Sequence, residues 1–253
     1  MKLIRTHQLS PAHLPAVTAL IRTCTETDRT AFTYPAGEIR CHYLLFADSG
    51  QLAALYMILN PAEPEEAECI AFTRPDQRRK GYFRQLLEAC TDDFPDMDIV
   101  FPVNHAVPSA LKVMDALEAD CISTNYQMEL YLPDAAGHQS AGTTPFPASG
   151  TKPGPVLKEE SESVLTLTGG TTVLGSCQLQ YYESSACLHH VGIRPEYRRQ
   201  GYAAGMLKLL FPLLEDKGIK RLFLHVSADN SAAVSLYEKT GFRITETLSY
   251  YLF

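Results

Sequence analysis

The chain has no run approaching the roughly 20 apolar residues that a membrane-crossing helix requires, so a membrane role is not expected. Its first residues, Met1-Lys2-Leu3-Ile4-Arg5-Thr6-His7, lack the apolar core of a secretory signal, and a cytoplasmic location is expected. No Cys-x-x-Cys pair occurs. The seven cysteines (Cys24, Cys41, Cys69, Cys90, Cys121, Cys177 and Cys187) are odd in number and scattered. That pattern speaks against a zinc site or a dithiol redox motif, so no metal is expected, and the thiols read as buried and reduced. A basic excess is also missing. Residues 1–132 carry 11 Lys and Arg against 18 Asp and Glu, and residues 133–253 carry 11 against 11. The acidic first half argues against nucleic acid as the main partner and favours cationic ligands such as amines.

What the chain does have is one phrase written twice. Arg74-Pro75-Asp76-Gln77-Arg78-Arg79-Lys80-Gly81-Tyr82 returns 120 positions later as Arg194-Pro195-Glu196-Tyr197-Arg198-Arg199-Gln200-Gly201-Tyr202. Each copy follows an apolar or β-branched run and opens a Leu-rich helical pattern. A strand, a basic Gly-containing turn and a helix start together make a phosphate-binding device. The repeat divides the chain into a copy at 1–132, a Gly/Pro/Ser/Thr-rich linker at 133–155 and a copy at 156–253.

In the first copy, a strand at Leu3-Ile4-Arg5 precedes a helix expected to start with Ser10 as N-cap and Pro11 in its first turn. A hairpin follows, turning at Asp48-Ser49-Gly50, then a strand at Cys69 to Phe72 that leads into the phrase. The second copy repeats this order from its own hairpin, around Gly169-Gly170. Its last helix, Ala232 to Lys239, has Gly241 just past the end. The opening strand and helix have no clear counterpart there.

Two motifs stand about 30 residues apart in the second copy. Arg198-Arg199-Gln200-Gly201-Tyr202-Ala203 reads R-x-x-G-x-A, and Asn230-Ser231-Ala232-Ala233-Val234-Ser235-Leu236-Tyr237-Glu238-Lys239-Thr240-Gly241-Phe242 reads N-x-x-A-x-x-L-Y-E-x-x-G-F. Together they resemble the acetyl-CoA-dependent GNAT acyltransferase superfamily, well over 164–253 and in outline over 40–132. The resemblance implies an α/β (α+β) fold of two tandem GNAT-like domains. Each would be a mixed, mainly antiparallel sheet with flanking helices and a splayed strand pair for acetyl-CoA, which serves as co-substrate. It implies that Arg198, Arg199, Gln200, Gly201, Tyr202, Ala203 and Ala204 clasp the pyrophosphate of the coenzyme. A glycine lets the backbone come close, and the helix dipole favours an anion there. Val191, Gly192 and Ile193 would line the pantetheine, with the Val191 N–H polarising the thioester carbonyl. Asn230 would contact coenzyme A or cap its helix.

The implied reaction is attack of an amine on the thioester. The phenol of Tyr237 suits reprotonation of the departing thiolate. A base must deprotonate the amine, and a histidine suits that task near neutral pH. His189 and His225, on neighbouring strands, are both candidates, with Glu183 a third. Alternation places His189 on one face with Val191 and Ile193, and His190 on the other as a structural residue. In the first copy, Phe83 stands in the place of Ala203 and is expected to crowd the pyrophosphate. Cys69 takes the place of His189, and Asp115 stands near that of Tyr237. The first copy therefore reads as a structural partner of a catalytic second copy. The main expectation is an N-acetyltransferase acting on a small molecule or peptide amine. A non-catalytic acyl-CoA sensor and a protein N-terminal or lysine acetyltransferase remain open, as does a homodimer.

Overall fold

The computed structural model describes residues 1–32, 34–35, 37–59, 66–132 and 154–253. The linker expected at 133–155 lies almost wholly outside the described residues. In chain order, the first half contains β1 (Lys2–Thr6), α1 (Leu14–Asp28), β2 (Ile39–Phe46), β3 (Leu52–Leu59), β4 (Glu66–Thr73), α2 (Tyr82–Asp93), β5 (Asp98–Asn104), α3 (Pro108–Leu117) and β6 (Asp120–Tyr131). The second half contains β7 (Val156–Glu159), β8 (Val164–Gly169), β9 (Thr172–Tyr182), β10 (Ser185–Ile193), α4 (Tyr202–Asp216), β11 (Arg221–Ser227), α5 (Ser231–Lys239) and β12 (Arg243–Leu252). The expected α/β class holds, with sheets that are mostly antiparallel.

Two compact units form, but they are not the two copies as the repeat divides them. The first comprises Met1–Thr124 and Thr247–Phe253, the second Asn125–Glu246. The reason is strand pairing. The last strand of the first copy, β6, runs antiparallel to β11, from Asn125↔Ser227 to Tyr131↔Arg221. The last strand of the second copy, β12, runs antiparallel to β5, from Leu248↔Asn104 to Leu252↔Val100. Each unit thus takes its closing strand from the other copy. Ser249, buried in the first unit, bonds through its hydroxyl to Thr124 at 2.7 Å and to His105 at 2.8 Å.

The first unit has strand order β1-β2-β3-β4-β5-β12, with β4 and β5 parallel. Both faces of its sheet are covered. Val17, Leu20 and Cys24 of α1 pack on Leu44, Leu55 and Met57, while Leu86 and Met114 of α2 and α3 pack with Tyr43, Tyr56 and Phe101. α1 begins at Leu14, not at the expected Pro11. The amides of His13 and Leu14 both bond the Ser10 carbonyl, which makes residues 11–13 a turn, and Pro15 falls in the first turn of the helix.

The second unit has order β7-β8-β9-β10-β11-β6. Both of its helices lie on one face. Met206, Leu207, Leu210 and Leu214 of α4, at helical spacing, and Tyr237 of α5 pack on Leu188, Leu222 and Leu224. Five of the seven cysteines are buried as expected. Cys187 is half-buried and Cys121 exposed, contrary to that expectation.

Candidate functional site

In the second unit, β10 and β11 pair in parallel at Ser185↔Arg221, Ala186↔Leu222 and Cys187↔Phe223, and no further. β10 stays paired with β9 as far as Ile193↔Gly175. Beyond Cys187, the edge of β10 that faced β11 is therefore open. The same stretch holds a bulge. His189 pairs with Gln178 and Gly192 with Ser176, so three steps on β10 match two on β9. The extra residue bends the strand and turns its backbone groups out of the ladder. His190, at φ 52°, supplies the left-handed conformation the bulge requires.

The bulge overturns the simple alternation. Val191 and Ile193 pack toward the core with Leu188, whereas His189 shares the opposite face with Gln178, not with Val191 and Ile193. His190 does not lie away from His189. The two rings are neighbours, with centroids 5.1 Å apart and Nδ1 atoms 3.0 Å apart.

Close approach of β9 to this strand depends on Gly175, which sequence reasoning missed. A Cβ there would sit 2.4 Å from the Gly192 carbonyl oxygen and 2.5 Å from Ile193 Cδ1. A glycine inside a strand pattern is the only signal that could have exposed it. Gly175→Ala is expected to destabilise the second unit by about 1–3 kcal/mol, as overpacking does. Thermal melting checks this.

The repeated phrase lies directly after β10. A 3-10 turn at Pro195–Tyr197 is followed by Arg198 in extended conformation, Arg199 at φ 62°, Gly201 at φ 84° and then α4. No side chain caps α4, and no acidic residue occupies its first turn. The amides of Ala203 and Ala204 find no acceptor one turn back in the helix, as at any helix start. Space opens above Gly201, where an added Cβ would meet nothing within 4 Å. Arg198 Nε donates to the Ile193 carbonyl at 2.9 Å and ties the turn to the wedge strand. Its guanidinium has no carboxylate partner among the described residues. Gln200 braces the turn by donating to the Glu196 carbonyl. A helix N-terminus flanked by two cations suits a diphosphate.

Two sheet faces meet at the splay. On the helix side, Asn230 caps α5 by accepting from the Ala233 amide at 3.1 Å, which gives it the capping role. Tyr237 is buried, packs edge-on against Phe242 at 5.6 Å and lies near Cys177 of β9. Burial, with the Cys177 thiol nearby, pushes its phenol above the ordinary value of 10.0. On the opposite face, His189 follows two residues after Cys187 and His225 two after Phe223, so the last parallel pair places one histidine on each side of the opening. His189 Nε2 is buried without a hydrogen-bond partner among the described residues. His225 Nε2 meets Gln127 Oε1 at 3.2 Å.

The first unit has the same splay, with parallel pairing only at Glu66↔Asp98, Ala67↔Ile99 and Glu68↔Val100, but β4 has no bulge. Because the bulge inserts one residue, the counterpart of His189 is Ile70 rather than Cys69, which is a core residue like Leu188. Counting from the helix caps Val107 and Asn230, the counterpart of Tyr237 is the buried Met114, not Asp115. Phe83 does not crowd the turn. It packs on Tyr56 at 5.2 Å and Phe101 at 5.7 Å, and the Tyr56 hydroxyl donates to the Phe83 carbonyl at 2.9 Å. By register, these three rings stand where the second unit has Cys177, Ala203 and Leu224, so they fill the helix side of the first splay. Arg78 is also committed, bonded to both oxygens of Asp28 at 2.8 and 2.5 Å.

Residues 124–242 match the model of the Acetyltransferase (GNAT) family, almost the span of the second unit. Residues 124–242 are thus a GNAT-like domain. Its fold aligns over 99% of its length with 95% of a GCN5-related N-acetyltransferase from Sphaerobacter thermophilus, at a TM-score of 0.72 and 17% identity. It also aligns over 100% of its length with 98% of a tandem GNAT protein from the clavulanic acid biosynthesis pathway, at 0.63 and 13%. Both likenesses concern the fold and support the two-domain GNAT arrangement. Among curated sequences, the [ribosomal protein bS18]-alanine N-acetyltransferase of Escherichia coli strain K12 is 42% identical over 57 residues, 22% of this chain. That match spans 38% of the relative's length. No helix among the described residues is long and apolar enough to cross a membrane.

Proposed function

We propose that the second unit transfers an acetyl group from acetyl-CoA to an amine by direct attack of the amine on the thioester. Supporting this is the coincidence, in that unit alone among the described residues, of an open bulged strand, an Arg198 beside Gly201 that has no carboxylate partner, and a buried phenol on α5. Arg198, Arg199 and Gln200, with the backbone from Gly201 to Ala204, would hold the diphosphate. Val191, Gly192 and Ile193 would bind the pantetheine, and the Val191 N–H would polarise the carbonyl. Tyr237 acts as general acid toward the leaving thiolate, and the base comes from the His189/His225 face. The first unit serves as structural partner and does not bind the coenzyme.

The test is equilibrium binding together with coenzyme A release over a panel of polyamines, amino acids, aminoglycosides and peptides. Peptides with an N-terminal alanine belong in the panel because of the stretch shared with the bS18-alanine acetyltransferase. One acetyl-CoA per chain is expected. Gly201→Val, strained at φ 84°, should abolish binding, and Gly81→Val should leave it intact. Binding without turnover on any amine would instead support the acyl-CoA sensor.

A further inference from the structure

The polar face of the second unit carries a chain of contacts that fixes one nitrogen of His225. Gln127, on β6, lies opposite His225 in the antiparallel register. Its amide has two ends, and they are not interchangeable here. One end lies 2.8 Å from Glu129 Oε1, and Glu129 is buried at 8% exposure. A carboxylate only accepts, so the Gln127 NH2 must face it. Arg221 Nη1, 3.3 Å from the same oxygen, pairs with Glu129 and holds it in place. Gln127 Oε1 is then left to face His225 Nε2 at 3.2 Å. An amide oxygen is an acceptor, so Nε2 carries the proton and Nδ1 keeps the lone pair. Phe223 flanks the imidazole edge-on, with centroids 6.1 Å apart, and restricts its rotation.

We infer that Gln127, oriented by Glu129 and Arg221, is a positioning residue that presents His225 with Nδ1 as its basic atom. The inference rests on the acyltransferase reading above and selects His225 over His189 as the base. Among the described residues, His189 Nδ1 meets His190 and its Nε2 is enclosed without a hydrogen-bond partner. The inference also gives the first copy a part in the site. Gln127 and Glu129 belong to its last strand, delivered into the second unit by the strand exchange.

The experiment is nitrogen-15 NMR of the His225 ring in the full chain, with steady-state kinetics alongside. The wild-type protein should show a single neutral tautomer protonated at Nε2. Gln127→Met keeps the length of the side chain but has no acceptor, and Glu129→Gln frees the amide to turn. Both should give averaged ring shifts. In both, kcat should fall about tenfold, a fraction of the 10²–10⁴ a general base supplies, with KM for acetyl-CoA unchanged and melting temperature near that of the wild type. A wild-type ring protonated at Nδ1, or a spectrum indifferent to both substitutions, overturns the relay. The spectrum is read on the resting protein, so it decides the relay whether or not an amine acceptor is found. An unchanged kcat in His225→Ala overturns the catalytic half of the inference alone.

Discussion

Replacing Tyr237 by Phe is expected to lower kcat by about two orders of magnitude or more while acetyl-CoA affinity stays within a few-fold. The substitution deletes one hydroxyl and keeps the ring that packs on Phe242, so stability should barely change. The direction of the phenol's shift is consistent with the proposed role as a donor. Burial disfavours the phenolate, and the neighbouring Cys177 thiol reinforces that. The group is therefore fully protonated at neutral pH. The sign follows: a donor whose pKa is raised is lost only above its ordinary value. The rate of the wild-type protein should therefore show no alkaline decline from this group below about pH 10. Equal kcat values for wild type and Tyr237→Phe, measured by thioester consumption, would remove Tyr237 from the chemistry.

The second large effect concerns the C-terminal strand. Removing Thr247–Phe253 takes seven residues from the end of the second copy, yet the damage is expected in the first unit. β5 would lose its antiparallel neighbour from Leu248 to Leu252, together with the reciprocal backbone bonds between Ile99 and Phe253 at 3.2 and 3.0 Å. The bonds from Ser249 to Thr124 and His105 would go as well. At about 1 kcal/mol for each hydrogen bond, the loss is roughly 5 kcal/mol or more. That approaches the entire stability of a small domain. Hydrogen exchange should show protection collapsing across β4 and β5, with β9 and β10 affected less. The reverse pattern would mean that the closing strand does not support the first unit.

Much of this was legible before any coordinates. The repeated phrase located both turns, since two arginines and a glycine after an apolar run describe a strand, a turn and a helix start without further information. Asn230 and Gly241 marked the two ends of α5 because capping is a local matter of one side chain and one backbone angle. The N-x-x-A-x-x-L-Y motif likewise placed the candidate Tyr237 on α5. Other readings failed for one shared reason. Pairing His189 with Val191, and with Cys69 of the first copy, assumed an unbroken strand, and a single inserted residue reverses every face beyond it. The Phe83 ring could be expected near the phosphates only while its partners Tyr56 and Phe101, 27 and 18 positions away in sequence, were unknown.

The sequence by itself determined the duplicated architecture, the two basic turns, the helix caps and the residue types available for acid and base chemistry. These depend on spacing and on the conformational preferences of single residues. Only the tertiary structure decided which strand closes which sheet, where β10 bulges, that Arg78 is spent on Asp28, and that Gln127 and Glu129 stand behind His225. Apart from the bulge, which lies in the β9–β10 hairpin, those outcomes arise from pairings between segments about 50 to 150 residues apart, whose partners are chosen by packing and hydrogen-bond satisfaction over a whole sheet.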